Sequence, residues 1–333
     1  MKHRSLITII LIFVFMLCSI RVYAVKPEVV QTISMPEFYS LDCKMKGHID
    51  EVSVNYAIED EECEGTLYVY LPYDYSADKR YDIVYHQCGS GSTDNELMKY
   101  ADVQNMLDNL IYDNSIEPVI FVIVPDFAYG STKSFKNHLL EIMSIIESKY
   151  HTYTDFDVNE DAFINTSNHR MIAGFSRGAY ATWDIIAGEN QYADYYMGCS
   201  PFYGTWDYES KVIAAAPEND RIVVFNTIGE LECEPNYPFD GIEQCVGLQE
   251  TMNEYGIENY SYIVEGEGHH QRNVMTAYYV ALQRVFDKKK QMPLAVQFML
   301  RNVFETLKPE EEHEGELPMA VRYMLRGFLK QYN

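Results

Sequence analysis

Residues 52–56 alternate Val-Ser-Val-Asn-Tyr, and residues 66–71 resume a strand-like run after a polar turn. Period-two alternation with β-branched and aromatic residues predicts two antiparallel edge strands within residues 47–72. The next runs, 81–85, 119–124 and 171–174, are apolar without alternation, and each is followed by loop-forming residues or by a helical pattern such as 138–150. Strands apolar on both sides belong in a sheet covered on both faces. Their alternation with amphipathic helices predicts an α/β fold with a mostly parallel central sheet and helices on both faces. Runs at 222–227 and 262–264 extend the sheet. In such folds ligands sit beyond the carboxyl ends of the strands.

The two ends of the chain differ from this middle. Lys2, His3 and Arg4 precede an apolar run over residues 6–20, and Ala24 offers the small residue a signal peptidase needs. Residues 1–24 are therefore expected to be a cleaved secretory signal, making the mature protein secreted. A lipid anchor at Cys18 is disfavoured because the preceding Leu17 is bulky. Residues 25–44 form a lead-in, 45–290 the catalytic-type domain, and 291–333 a tail. In that tail the pattern at 293–301 recurs at 318–326, each copy opening with Pro and carrying apolar residues at helical spacing. Two amphipathic segments are predicted, a C-terminal helical extension that packs on the domain or docks a protein partner.

Composition narrows the choice. With 26 basic against 50 acidic residues the net charge is −24, which disfavours nucleic acid and anionic membrane surfaces as partners. No second apolar stretch is long enough for stable membrane insertion. The 28 tyrosines suit stacking on flat or ring-shaped ligands as well as ordinary cores. Six cysteines remain beyond the leader, and in an exported chain the spacings of Cys43/Cys63 and Cys233/Cys245 would close short loops as disulfides. No Cys/His spacing matches a metal site, and no cofactor is expected.

The most specific motif is Gly174-Phe175-Ser176-Arg177-Gly178, set between an apolar strand and a helical run over 179–187. The flanking glycines let the chain turn sharply from strand to helix, raising the Ser176 hydroxyl above the sheet as a nucleophile. The Arg177 amide, at the helix start, points where an oxyanion would form. A serine hydroxyl needs a base, and Gly268-His269-His270 follows the last strand in the chain order such a site uses. An acid must orient the imidazole, and candidates after the preceding strand are Glu230, Glu232 and Asp240. A second oxyanion donor is expected from the loop after the strand at 81–85, from Gly89 or Ser90. His86 and His169 lie on or beside strands and are expected to be packing or surface residues.

Together the stretches at 69–75, 81–85, 147–150 and 173–178, with Gly268-His269, resemble the esterase D-like α/β-hydrolases. The nearest branch in this resemblance is the family 1 carbohydrate esterases, which include feruloyl and acetylxylan esterases. It implies an α/β-hydrolase fold over roughly residues 45–288, with nucleophile Ser176, base His269 rather than His270, and acid Glu232, where the family usually has aspartate. Asp240 and Glu230 are the fallback acids. Two further departures, Arg177 for Met and Cys88-Gly89 for His-Gly, affect positions that act through backbone amides. The implied activity is hydrolysis of feruloyl or acetyl esters on plant-wall polysaccharide such as xylan. Tyr129, Tyr203, Trp206 and Tyr237 lie in loops that could line an aromatic substrate slot.

Overall fold

The computed structural model describes residues 30–58, 61–90, 103–126, 133–201, 214–215, 221–233 and 240–286. In chain order its elements are β1 (Gln31–Ile33), β2 (His48–Ile58), β3 (Glu61–Leu71), β4 (Asp82–Gln87), α1 (Val103–Tyr112), β5 (Val119–Val124) and α2 (Lys133–Glu147). Then follow α3 (Glu160–Asn165), β6 (Arg170–Phe175), α4 (Arg177–Glu189), β7 (Tyr195–Cys199), β8 (Val223–Gly229), α5 (Gly241–Glu254), β9 (Glu258–Val264) and α6 (Gln271–Ala281). The strands form one sheet in the order β1-β9-β8-β7-β6-β4-β5-β3-β2. Every pairing from β1 to β5 is parallel, while β3 runs antiparallel to β5 and β2 to β3. This is the mostly parallel α/β-hydrolase sheet with its antiparallel edge.

Strand β5 shows why the central runs lack alternation. Ile120, Val122 and Val124 enter the core shared with α2, α4 and α5, whereas Val119, Phe121 and Ile123 enter the one shared with α1 and α6. All six side chains are buried, so both faces select apolar residues. The helices bring matching stripes: Leu139, Ile142, Met143 and Ile146 of α2 on one side, and Met106, Leu107 and Leu110 of α1 on the other.

Strand β7 was not expected from the sequence pattern. Its Tyr-Tyr-Met-Gly-Cys run is fully buried, and Gly198 interrupts it where a Cβ would come within 2.9 Å of the Trp183 indole on α4. Close approach of helix to sheet, not weak strand preference, explains that glycine. The lead-in also holds an unforeseen strand, β1, parallel to β9. The strands at the carboxyl-terminal end are longer than their apolar cores suggest, since the hydrogen-bonded ladder of β9 with β8 starts at Glu258.

The two expected disulfides do not form. Cys43, Cys233 and Cys245 are all unbridged thiols. Cys245 is buried on α5, accepting from Asn226 Nδ2 at 3.3 Å, whereas Cys233 lies in the turn after β8 with its thiol on the Glu230 carbonyl. Cys43 is buried beside Tyr70, at the opposite end of β3 from Cys63, which pairs with Tyr56. Tyr70 lies seven residue steps along the strand from Cys63, roughly 23 Å at the rise of an extended chain. Loop length was a poor guide because β2 lies between Cys43 and Cys63, while Cys245 is buried on α5. The predicted leader and the repeated tail lie outside the described residues.

Candidate active site

Three strands deliver the site to the carboxyl edge: β6 leads to Ser176, β8 to Glu232, and β9 to His269. Ser176 stands between β6 and α4 with φ of 54° and ψ of −116°, in the left-handed half of backbone space that a serine avoids. Its amide donates to the Cys199 carbonyl at 2.9 Å, tying the turn to β7. The flanking glycines answer to close approach: a Cβ on Gly174 would lie 2.1 Å from the Gly178 carbonyl oxygen, and one on Gly178 would lie 2.1 Å from that of Gln87. The tight turn therefore needs glycine on both sides of the serine and tolerates strain at the serine itself.

His269 Nε2 lies 2.8 Å from Ser176 Oγ, and its Nδ1 lies 2.7 Å from Glu232 Oε2. With Glu232 ionised, the bonding pattern assigns the ring proton to Nδ1, leaving Nε2 to accept from the serine hydroxyl. The Glu232 side chain is 1% exposed and the imidazole 23%, so the acid is enclosed while the base is partly open to solvent. Phe175 packs against the imidazole with ring centroids 4.8 Å apart. Glu232 Oε1 accepts from Ser200 Oγ at 2.5 Å, the Gly229 amide at 2.9 Å and Asn273 Nδ2 at 2.9 Å. A buried carboxylate with these donors is solvated by the protein.

The alternative acids are used elsewhere. Asp240 caps α5 through the amides of Ile242 and Glu243, and Glu230 accepts from the Gly266 amide at 2.7 Å. His270 turns away toward Glu267, 3.1 Å off, and is half exposed. On the oxyanion side, Arg177 opens α4, and a Cβ on Gly89 would meet Ser176 Cβ at 3.3 Å, so that glycine borders the nucleophile. Ser90 follows in an exposed turn. The Arg177 guanidinium pairs with Asp126, buried just after β5. Tyr129, Tyr203, Trp206 and Tyr237 lie outside the described residues. Among the described residues no group of three or more His, Cys, Asp or Glu side chains is placed to hold a metal ion.

Sequence reasoning missed Ser200, Asn273 and Asp126. Ser200 follows the unrecognised β7, and Asn273 lies four residues beyond His269 in the first turn of α6, a spacing that could have drawn attention to it. Asp126 follows Pro125 at the end of β5 and carried no motif.

The mostly parallel sheet and the sharp strand-to-helix turn at Ser176 are those of the α/β-hydrolase fold. Residues 59–272 match the Esterase family model, more than half of the chain, and the protein belongs to that family. A curated relative, endo-1,4-beta-xylanase Y of Acetivibrio thermocellus, is 32% identical over 142 residues, which is 41% of this chain and 13% of that one. The chain thus spans only a small part of that relative. Among solved structures, a mutant of the feruloyl esterase module from Clostridium thermocellum complexed with sinapinate superposes with a TM-score of 0.62 at 23% identity, covering 79% of this chain and 96% of that one. The CE1 ferulic acid esterase of the anaerobic fungus Anaeromyces mucronatus gives 0.57 at 19% identity, covering 78% and 98%. At these identities the superpositions speak for the fold.

Proposed function

We propose that the protein is a secreted serine esterase that removes feruloyl or acetyl groups from plant cell-wall polysaccharide, xylan foremost, using Ser176, His269 and Glu232. The observation that carries this reading is the continuous hydrogen-bond line from Ser176 Oγ through both imidazole nitrogens to Glu232. Ser176 attacks the ester carbonyl while His269 Nε2 takes its proton, and Glu232 stabilises the resulting imidazolium. The tetrahedral oxyanion is met by the Arg177 amide and by an amide of the Gly89-Ser90 turn. His269 then protonates the departing sugar oxygen. Water, activated by the same imidazole, releases the acid from the acyl-enzyme.

The xylanase relative and the feruloyl esterase structures support the choice of a wall ester. The test is release of ferulate from methyl ferulate and from feruloylated xylan fragments, and of acetate from acetylated xylan, by the wild type and by Ser176→Ala. Wild-type turnover of a wall ester, lowered in Ser176→Ala by about 10⁵-fold or more, is expected. Turnover surviving the substitution would reject the mechanism, and inertness on every wall ester would reject the substrate class.

A further inference from the structure

The two oxygens of Glu232 have different surroundings. Oε2 faces the imidazole, while Oε1 is held by Ser200, Gly229 and Asn273. Two of these holders are kept under unfavourable conditions. Ser200 is fully buried with φ of 46°, a left-handed conformation in which glycine would sit without strain, and its amide donates to the Thr227 carbonyl at 2.7 Å. Asn273, also fully buried, aims Nδ2 at Ser200 Oγ (2.6 Å), Glu232 Oε1 and the Gly268 carbonyl (3.3 Å). Its Oδ1 is buried with no hydrogen-bond partner among the described residues. Packing alone favours neither residue: glycine at 200 would relieve the backbone and an apolar side chain at 273 would remove the orphaned carbonyl. Both disadvantages converge on one atom, Glu232 Oε1.

We propose that Ser200 and Asn273 are positioning residues for the relay: they hold Oε1 of Glu232, turn Oε2 toward His269, and set how strongly the carboxylate draws on the imidazole proton. The inference rests on the roles assigned above to Ser176, His269 and Glu232. Donors on Oε1 spread the carboxylate charge and lower its affinity for a proton. Asn273 also fixes the loop carrying His269 through the Gly268 carbonyl, so one side chain adjusts acid and base together. Without these donors more charge stays on the carboxylate oxygen facing the ring, the imidazolium is favoured, and the neutral imidazole that deprotonates Ser176 requires a higher pH.

Among the described residues, other titratable groups surround the pair. The Cys199 thiol of β7 lies beneath Glu232 and is pushed up to about 12 by burial, so it stays neutral. Glu230 is bound to the Gly266 amide, and Glu267 pairs with His270 and Arg272. None of these is altered by changing residue 200 or 273.

The experiment compares the full chain with Ser200→Gly, Asn273→Leu and Glu232→Gln, measuring kcat and KM on p-nitrophenyl acetate across the acidic limb. Ser200→Gly and Asn273→Leu are each expected to lower kcat about 10- to 100-fold with KM within about twofold, and to move the acidic limb upward by about half a pH unit or more. Ser200→Gly should melt no lower than the wild type. If Asn273→Leu does not fold, Ser200→Gly alone decides. An unmoved limb overturns the proposal, whether kcat is unchanged or falls equally at every pH, provided Glu232→Gln is inactive. Full activity in Glu232→Gln would instead remove the reading of the acid on which the proposal rests.

Discussion

Near each end of β6 a buried carboxylate pairs with a basic side chain, to opposite effect. At its carboxyl end, Glu232 meets His269, and the imidazole goes on to Ser176. At its amino end, Arg170 meets Glu147 through Nε at 2.8 Å and Nη2 at 3.0 Å, with both side chains 1% exposed. The remaining polar valences there are also taken: Nη1 donates to the Phe163 and Tyr192 carbonyls, while Tyr85 and Thr152 donate to Glu147. Burial works against the Arg170 charge, but adjacent Glu147 outweighs it and holds the guanidinium above its ordinary range. Arginine does not release its proton and every partner is protein, so the pair anchors β6 to α2. Histidine can release its proton, and its second nitrogen meets the Ser176 hydroxyl on a partly exposed ring, so the same kind of pairing becomes a relay. The choice of base and access to solvent decide between anchor and relay.

Substituting the acid at each end should separate the two roles. Glu232→Gln preserves shape but cannot balance an imidazolium, so kcat/KM is expected to fall by about 10⁴-fold while the melting temperature changes little. Assays on wall esters beside thermal melts check this. Glu147→Gln should do the reverse, costing about 3–5 kcal/mol of stability by leaving the Arg170 charge buried without its counterion. Urea unfolding measures that loss, and activity per folded molecule is expected to match the wild type. A kcat defect in folded Glu147→Gln would break the distinction between the ends.

The relay was far more legible in the sequence than the anchor. The elbow could be read because its glycines answer to local sterics within five residues, and Gly268-His269 could be read from its place after the last strand. Glu232 was harder, since in so acidic a chain each loop carboxylate looks like its neighbours, and the structure separates it from Asp240 and Glu230 only by what each oxygen accepts. Ser200 and Asn273 are 73 positions apart and meet only because β7, β8 and α6 converge, a closeness no local pattern encodes. Glu147 and Arg170 each read as ordinary charges at the end of a helix and the start of a strand. The cysteine spacings misled because loop length says nothing of whether an intervening strand or helix holds two thiols apart.

His86 supplies the remaining case, a titratable base buried without a carboxylate partner among the described residues. It lies on β4, fully enclosed, with Nδ1 2.8 Å from the Tyr278 hydroxyl and its ring stacked on Phe121. Burial lowers its pKa from 6.5 to about 3, so the folded protein keeps it neutral where the unfolded chain would protonate it. Between those values the unfolded state binds one more proton, so this contribution to stability is fully present above about pH 6.5 and is lost as the pH falls toward 3. The loss should approach about 1.4 kcal/mol for each pH unit within that window. His86→Leu removes the titration, and its urea midpoint should fall less steeply between neutral and mildly acidic pH than that of the wild type. Equal slopes would mean that the buried imidazole accepts a proton in place, and burial without a counter-charge would then not suffice to hold a base neutral in this core.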